Sequence, residues 1–265
     1  MSQRIFITGS GGIVGRHALR ALARYAPEAE ILRNRADLTD LAAISTLIDG
    51  LGEIDLVIHL AALVPVAEVK ENPARAFSVN VGGTVNLLSA LSGHPARFTL
   101  CSSSHVYASQ PHPLREDDRT EPVSLYGRTK LMAEQAATQI CAATERSLCT
   151  ARLFSIHDPE QTGSYLRPTL ERRFAETPPN APFELFGAGS LRDFLPASEA
   201  AELIVRLALS TAEGPVNVAS GQSQTVAEFA QALAPHPLNI RPMGQNDTLE
   251  ADVSRLNAIL GETHV

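Results

Sequence analysis

The stretch IFITGSGGIVGRHAL, residues 5–19, joins an apolar, β-branched run to a helical one through a turn of small residues. Glycines stand at Gly9, Gly12 and Gly15, across the strand–helix junction. A chain that turns this tightly between a buried strand and a helix is directed towards a layered α/β arrangement. Two readings of the glycines compete. One is a plain glycine-rich turn that only serves packing. The other is a cradle for the diphosphate of a dinucleotide. There the first glycine makes the turn, the second lets the backbone approach the phosphates, and the third lets helix meet strand. The helix N-terminus adds free N–H groups and a positive dipole end.

Strand and helix patterns continue to alternate down the chain. RIFITG (4–9) reads as a buried strand, GRHALRALARY (15–25) as a helix and AEILR (29–33) as a second strand. Then come a helix at 40–51, an apolar strand at 54–61 and a helix at 73–92 despite Gly82 and Gly83. A fourth strand at 97–103, a long helix at 124–143 and a fifth strand at 148–154 complete the series. Near-continuous apolar runs such as IDLVIHLA belong to sheets covered on both faces. The expected fold is α/β: a Rossmann-type, doubly wound parallel sheet. After residue 155 the pattern loosens, and TPPNAP (177–182) is a Pro-rich break. We read 1–155 as a dinucleotide-binding domain. Residues 156–265 are read mainly as a small C-terminal substrate-binding lobe, interleaved with the end of the sheet.

Composition narrows the setting. Apolar residues make up 44% of the 265, but aromatics only 5% and Trp none, so aliphatic side chains must fill the core. The net charge of −7 comes without a basic block, which argues against nucleic acid as a partner. Cys101, Cys141 and Cys149 lie in apolar contexts without metal-ligand spacing and read as reduced, buried thiols. The most apolar stretch, residues 54–67, carries Asp55 and His59 and is too short to span a bilayer. The N-terminal segment lacks a signal-peptide pattern. A cytoplasmic protein without membrane contact is expected.

Motifs then point to a family. TGSGGIVG (8–15) resembles the T-G-x-x-G-x-x-G loop of the extended short-chain dehydrogenase/reductases. CSSSHVYA (101–108) resembles their S-S-x-x-V-Y-G stretch, with Ala108 for the usual Gly, and LYGRTKLMAE (125–134) resembles their Y-G-x-x-K helix. HLAALV (59–64), NVGGTVNLL (80–88), ARLFSIHDP (151–159), GAGSLRDFLPASEAA (187–201) and PVNVASG (215–221) follow in family order. The resemblance covers nearly the whole chain. It implies cofactor contacts from Gly9, Gly12, Ile13, Val14 and Gly15, from Leu60, Ala61 and Ala62, from Asn80, and from Tyr126 and Lys130. It also implies Ser103, four residues before Tyr107, as the catalytic serine, flanked by Ser104.

Tyr126 and Lys130 are i and i+4 on one helix and share a face. An ammonium beside a phenol is expected to lower the phenol's pKa. The phenol then exchanges a proton with a substrate hydroxyl or carbonyl while a nicotinamide exchanges the hydride. His105, two residues after Ser103, resembles an acid/base position of nucleotide-sugar enzymes that both epimerise and reduce, where a Cys stands. Here it is read as catalytic or as a substrate contact. NAD users commonly end the second strand with an acidic residue, but this strand ends with Arg33 and then Arg35. Arginines suit the 2′-phosphate of NADP, with Asp37 and Leu38 near the adenine. The competing reading is two solvated loop charges.

GSLRDF (189–194) resembles a segment whose Arg contacts a substrate diphosphate, which makes Arg192 the candidate; its alternative is a surface ion pair. Ser155, Ile156 and His157 replace the family's usual N-x-Y, and few residues follow Gly261, so a small lobe is expected. The resemblance also implies a two-fold dimer through the helices at 73–92 and 124–143. Met132, Ala136 and Ile140 form a stripe that faces either that partner or the sheet. The leading reading is an NADP-linked reductase, or epimerase and reductase, of a nucleotide 4-keto-6-deoxy sugar. The alternatives are an epimerase or dehydratase that retains its cofactor, and a reductase of a non-nucleotide ketone. A non-enzymatic scaffold is disfavoured by the intact Ser103, Tyr126 and Lys130.

Overall fold

Side-chain alternation along the first strand sets the layers. Ile5 and Ile7 of β1 (Arg4–Thr8) point to one face and Phe6 to the other, all fully buried. The computed structural model describes residues 2–64 and 66–261. After β1 come α1 (Ile13–Tyr25), β2 (Glu30–Arg33), α2 (Leu41–Leu51), β3 (Leu56–His59) and α3 (Val66–Glu71). Next are α4 (Pro73–Phe77), a π-helical turn (Ser78–Gly82) and α5 (Gly83–Ala90) as one run, then β4 (Arg97–Ser103), α6 (Leu125–Ala143) and β5 (Leu148–Leu153). The second half holds β6 (Ser155–His157), α7 (Leu166–Glu176), β7 (Pro182–Phe186), β8 (Leu191–Pro196), α8 (Ala197–Leu209) and β9 (Gly214–Val218). It closes with β10 (Ser223–Thr225), α9 (Val226–Leu233), β11 (Asn239–Met243), β12 (Thr248–Leu249) and α10 (Ser254–Leu260).

Six strands form one parallel sheet in the order β2-β1-β3-β4-β5-β9. Successive strands run outwards from β1 on one side and from β3 on the other. The order therefore reverses between β1 and β3, where open α/β sheets leave a crevice beyond the strand C-termini. Helices α1 and α8 pack together on the face of Ile5, Ile7 and Val216. Helices α2, α5 and α6 cover Phe6, Val57 and Phe98 on the other. The helix expected across 73–92 survives its two glycines because the π turn takes up the irregularity, and Gly83 lets α5 press on Leu38.

Beyond the C-terminal strand ends lie the small sheets, β10-β8-β12 with β6 on β8, and β7 with β11. Their core is aromatic: Phe174, Phe183, Phe194 and Phe229, with Phe194 stacked on Phe229. The large sheet is filled mainly by aliphatic residues, as composition led us to expect. The chain returns from the lobe to that sheet through α8 and β9.

A buried polar line runs beneath the crevice. Thr84 Oγ1 donates to the Asn80 carbonyl (2.8 Å), so it accepts from His59 Nε2–H (3.0 Å). His59 Nδ1 is then the acceptor for the Thr8 hydroxyl (2.7 Å), which itself accepts Ala61 N–H (3.2 Å). Burial holds His59 neutral, with its pKa pushed down to about 3; Lys130 adds to the effect. The sign follows from linkage. The unfolded chain takes up a proton near pH ~6.5 that the native ring refuses until about pH 3, so stability is complete above the upper value and falls with acidification between the two. Relative to His59→Gln, the wild-type protein should lose about 2 kcal/mol more between about pH 7 and about pH 5 in urea unfolding. Parallel pH profiles of the two proteins would contradict the neutral buried ring.

Candidate active site

The crevice opens where the sheet order reverses. Gly9 leaves β1 with φ +68°, and a Cβ there would lie 2.6 Å from the Ala61 nitrogen. A Cβ on Gly15 would fall 2.1 Å from the Gly9 carbonyl. Helix α1 therefore crosses the end of β1 at a distance only glycine permits. Gly12 stands at the N-cap without a side-chain hydrogen bond, and no acidic residue occupies the first turn. The helix offers its first N–H groups and dipole to an anion. These features fit a dinucleotide diphosphate, with Gly12, Ile13 and Val14 around it.

The second half of the site comes from β4 and α6. Ser103 ends β4, where the sheet hands the chain to a short 3₁₀ turn (Ser104–Val106), and its Oγ accepts His105 N–H (3.2 Å). Ser124 caps α6 by accepting Gly127 N–H (3.0 Å). A Cβ on Gly127 would lie 2.1 Å from the His105 carbonyl, so the glycine lets the start of α6 press onto this turn. Tyr126 and Lys130 are thereby brought beside Ser103, and the His105 ring meets Tyr126 edge to face at 5.6 Å.

Electrostatics here differ from expectation in one respect. The Tyr126 phenol is pushed above its ordinary pKa, first by burial and then by Cys101, while the Ser103 hydroxyl opposes the shift. Lys130 turns to the backbone. Its ammonium is itself buried and donates to the Cys101 carbonyl (2.7 Å). Burial lowers the Lys130 pKa against the pull of Cys101 and Glu134. Two of its three N–H donors have no partner among the described residues, and Lys130 borders the cavity. His105 is also shifted down, by burial first and then by Arg192, with Asp247 opposing.

Both halves line one cavity of about 930 Å³, the size of a ligand site. Gly9, Gly12, Ile13, Val14 and Gly15 line it, as do Leu60, Ala61 and Ala62 beyond β3. Ser103, Ser104, His105, Tyr126, Lys130 and Arg192 complete the residues singled out from sequence that meet there. Arg192 is both a wall residue and half of an ion pair, with Asp247 at 2.6 Å.

Other expected residues lie outside the lining. Arg33, exposed, donates through Nε to Ser10 Oγ (3.2 Å), which ties the β2 end to the glycine loop. Arg35 is exposed and pairs with nothing among the described residues. Asp37 accepts the backbone N–H and hydroxyl of Thr39, which hold its carboxyl below the usual range. Leu38 is buried under α5. Asn80 is buried too: its amide engages the Leu63 N–H (2.7 Å), the Leu63 carbonyl (3.0 Å) and Thr129 Oγ1 (3.0 Å). It braces the segment after β3 against α6. Sequence reasoning missed Asp247, Gln161, Tyr165 and Phe186, all on the cavity wall. They come from loops and strand ends of the lobe, where no periodicity or motif marks them.

Comparison with known proteins agrees with this geometry. Residues 5–219 match the model of the NAD dependent epimerase/dehydratase family, and the chain belongs to that family. It is 33% identical over 245 residues to GDP-6-deoxy-D-mannose reductase of Pseudomonas aeruginosa, covering 88% of this chain and 80% of that one. A dTDP-4-dehydrorhamnose reductase of Mycolicibacterium smegmatis is 37% identical over 139 residues, 51% of this chain and 42% of that protein. The solved structure of RMD from Pseudomonas aeruginosa complexed with NADPH superposes with a TM-score of 0.86 at 28% identity, over 98% of this chain and 92% of that one.

Proposed function

We propose that the protein is an NAD(P)-dependent reductase of a nucleotide 4-keto-6-deoxy sugar. The observation that carries this reading is the meeting of the glycine loop with Ser103, His105, Tyr126 and Lys130 on one cavity wall. The relative named as a GDP-6-deoxy-D-mannose reductase supports the substrate class.

A bound nicotinamide dinucleotide supplies the hydride. The α1 N-terminus holds its diphosphate through backbone N–H groups. Tyr126 keeps its proton at neutral pH, because burial raises its pKa, and is therefore charged with the proton a reduced carbonyl oxygen must receive. The Ser103 hydroxyl donates to the same oxygen and fixes its position. Lys130 directs its free N–H donors into the cavity. His105, neutral beside Tyr126, contacts the substrate and is placed to exchange a proton if the same site also epimerises. Arg192, oriented by Asp247, takes a substrate phosphate.

We read the cofactor as NADP. Arg33 and Arg35 follow the second strand, Arg33 reaching the glycine loop through Ser10, and the RMD structure is complexed with NADPH. Residues 1–155 serve the dinucleotide and 156–265 mainly the substrate. We place the reaction in the cytoplasm, a reading supported by three free thiols; no described helix is long and apolar enough to cross a membrane. The two-fold dimer is supported by Met132 of α6, 44% exposed; Ile140 of the same stripe packs on the core beneath α6.

Three measurements check this. With nucleotide 4-keto-6-deoxy sugars, absorbance at the reduced-nicotinamide band should fall faster with NADPH than with NADH, and Tyr126→Phe should lose most turnover while binding NADPH nearly as well. Absent consumption, with nicotinamide retained by the purified protein, would favour the internally recycling epimerase or dehydratase. Arg35→Ala should weaken NADPH roughly tenfold more than NADH; equal weakening would remove the 2′-phosphate argument. Light scattering at micromolar concentration should return twice the chain mass.

A further inference from the structure

Gln161 is 6% exposed, borders the cavity and has no part in the reaction scheme above. Its side chain makes one hydrogen bond, with the backbone N–H of Asp158, at 3.0 Å. A backbone N–H can only donate, so the atom it meets is the amide oxygen, and the orientation of the side chain follows. The amide nitrogen, with two donors and no acceptor, is left over. It has no partner among the described residues, and it is not among the unpartnered atoms sealed inside the core. It opens on the cavity.

The turn that carries Gln161 is fastened to the first turns of α1. His17 Nε2 meets Asp158 Oδ2 at 2.7 Å, and Arg16 pairs with Glu160 at 3.2 Å. The Asp158 carboxylate also accepts Glu160 N–H at 2.8 Å, which closes the turn. Gln161 therefore stands beside the first turns of α1 and lines the same cavity as Gly12 and Gly15. Two donors, held by a buried carbonyl anchor in a cavity that an uncapped helix N-terminus also lines, suit an acceptor oxygen that carries negative charge.

We propose that the Gln161 side-chain amide is a clamp on a diphosphate oxygen of the bound dinucleotide, closing the cradle from the side opposite the glycine loop. The assignment rests on the dinucleotide reading of the cavity. It gives the lobe-side turn after β6 a direct part in cofactor affinity.

Two variants test it. Gln161→Glu keeps an oxygen for Asp158 N–H, so the turn is preserved, but replaces the donors with an anion. Gln161→Met removes the donors without adding charge. Dissociation constants are measured by nicotinamide fluorescence for NADPH and by competition for 2′-phospho-ADP-ribose, which keeps the diphosphate and lacks the nicotinamide. Thermal midpoints of the free proteins control for folding. Both variants should weaken both ligands, Met by about tenfold and Glu by more, with the Gln161→Glu midpoint near wild type. Unchanged constants would overturn the clamp. So would loss confined to NADPH, which would move the contact to the nicotinamide end. A wild-type protein that binds neither ligand would instead sink the dinucleotide reading itself, and the clamp with it.

Discussion

Everything above the sheet rests on the polar line below it. Thr8 ends β1, His59 ends β3, and Thr84 and Asn80 belong to the bent α4–α5 run. Asn80 then passes the connection to Thr129, whose hydroxyl donates to the Tyr126 carbonyl. The cofactor-side loops and the helix that carries Tyr126 are thus held by one directed set of hydrogen bonds. The Asn80 amide nitrogen donates both to the Leu63 carbonyl and to Thr129, and the Thr8 and Thr84 hydroxyls each donate once and accept once. In a buried setting such a line is stiff, because an unmatched group would cost about 1–3 kcal/mol. A neutral ring is the only form of His59 that completes it.

Geometry at the surface of the site follows from two close approaches, both made by glycine. Gly15 against the Gly9 carbonyl fixes how α1 meets β1. Gly127 against the His105 carbonyl fixes how α6 meets the end of β4. The first places an uncapped helix end at the crevice; the second places a phenol beside a serine. Ion pairs then hold each helix in place: Arg16 with Glu160 and His17 with Asp158 for α1, and Glu134 with Arg152 for α6. Asp193 plays a comparable part in the lobe: wholly buried, it accepts the backbone N–H groups of Ser220, Gly221 and Gln222 and fixes the turn between β9 and β10. Its neighbour Arg192 is left to face the cavity.

Much of this was legible in the sequence. Strands with apolar runs, such as 56–58, announce a two-faced sheet, and glycine spacing announces the close crossing at α1. Tyr126 and Lys130 were legible as one face of a helix. Their electrostatics were not, because a sequence does not say how deeply a phenol is buried or that Lys130 turns to the Cys101 carbonyl. Asn80 was legible as important, yet its partners at Leu63 and Thr129 depend on a π turn that no periodicity predicts. Gln161 and Asp247 escaped notice because loop residues acquire meaning only from what the fold sets opposite them.

The return of the chain through β9 has a consequence for synthesis. Cys149 on β5 pairs with Gly214 on β9, across the intervening chain from β6 to α8. While the ribosome is still producing the lobe, β5 is the outer strand of an unfinished sheet, with one row of N–H and C=O groups unpaired. An edge of this kind invites pairing with a foreign strand. The segment from β6 to α8 must therefore pack promptly enough to deliver β9 before another chain takes the place. Closing so large a loop is slow relative to pairing local neighbours. The last-added strand of the sheet thus serves as the molecule's own protection against aggregation, available only once the chain from β6 to α8 has been made.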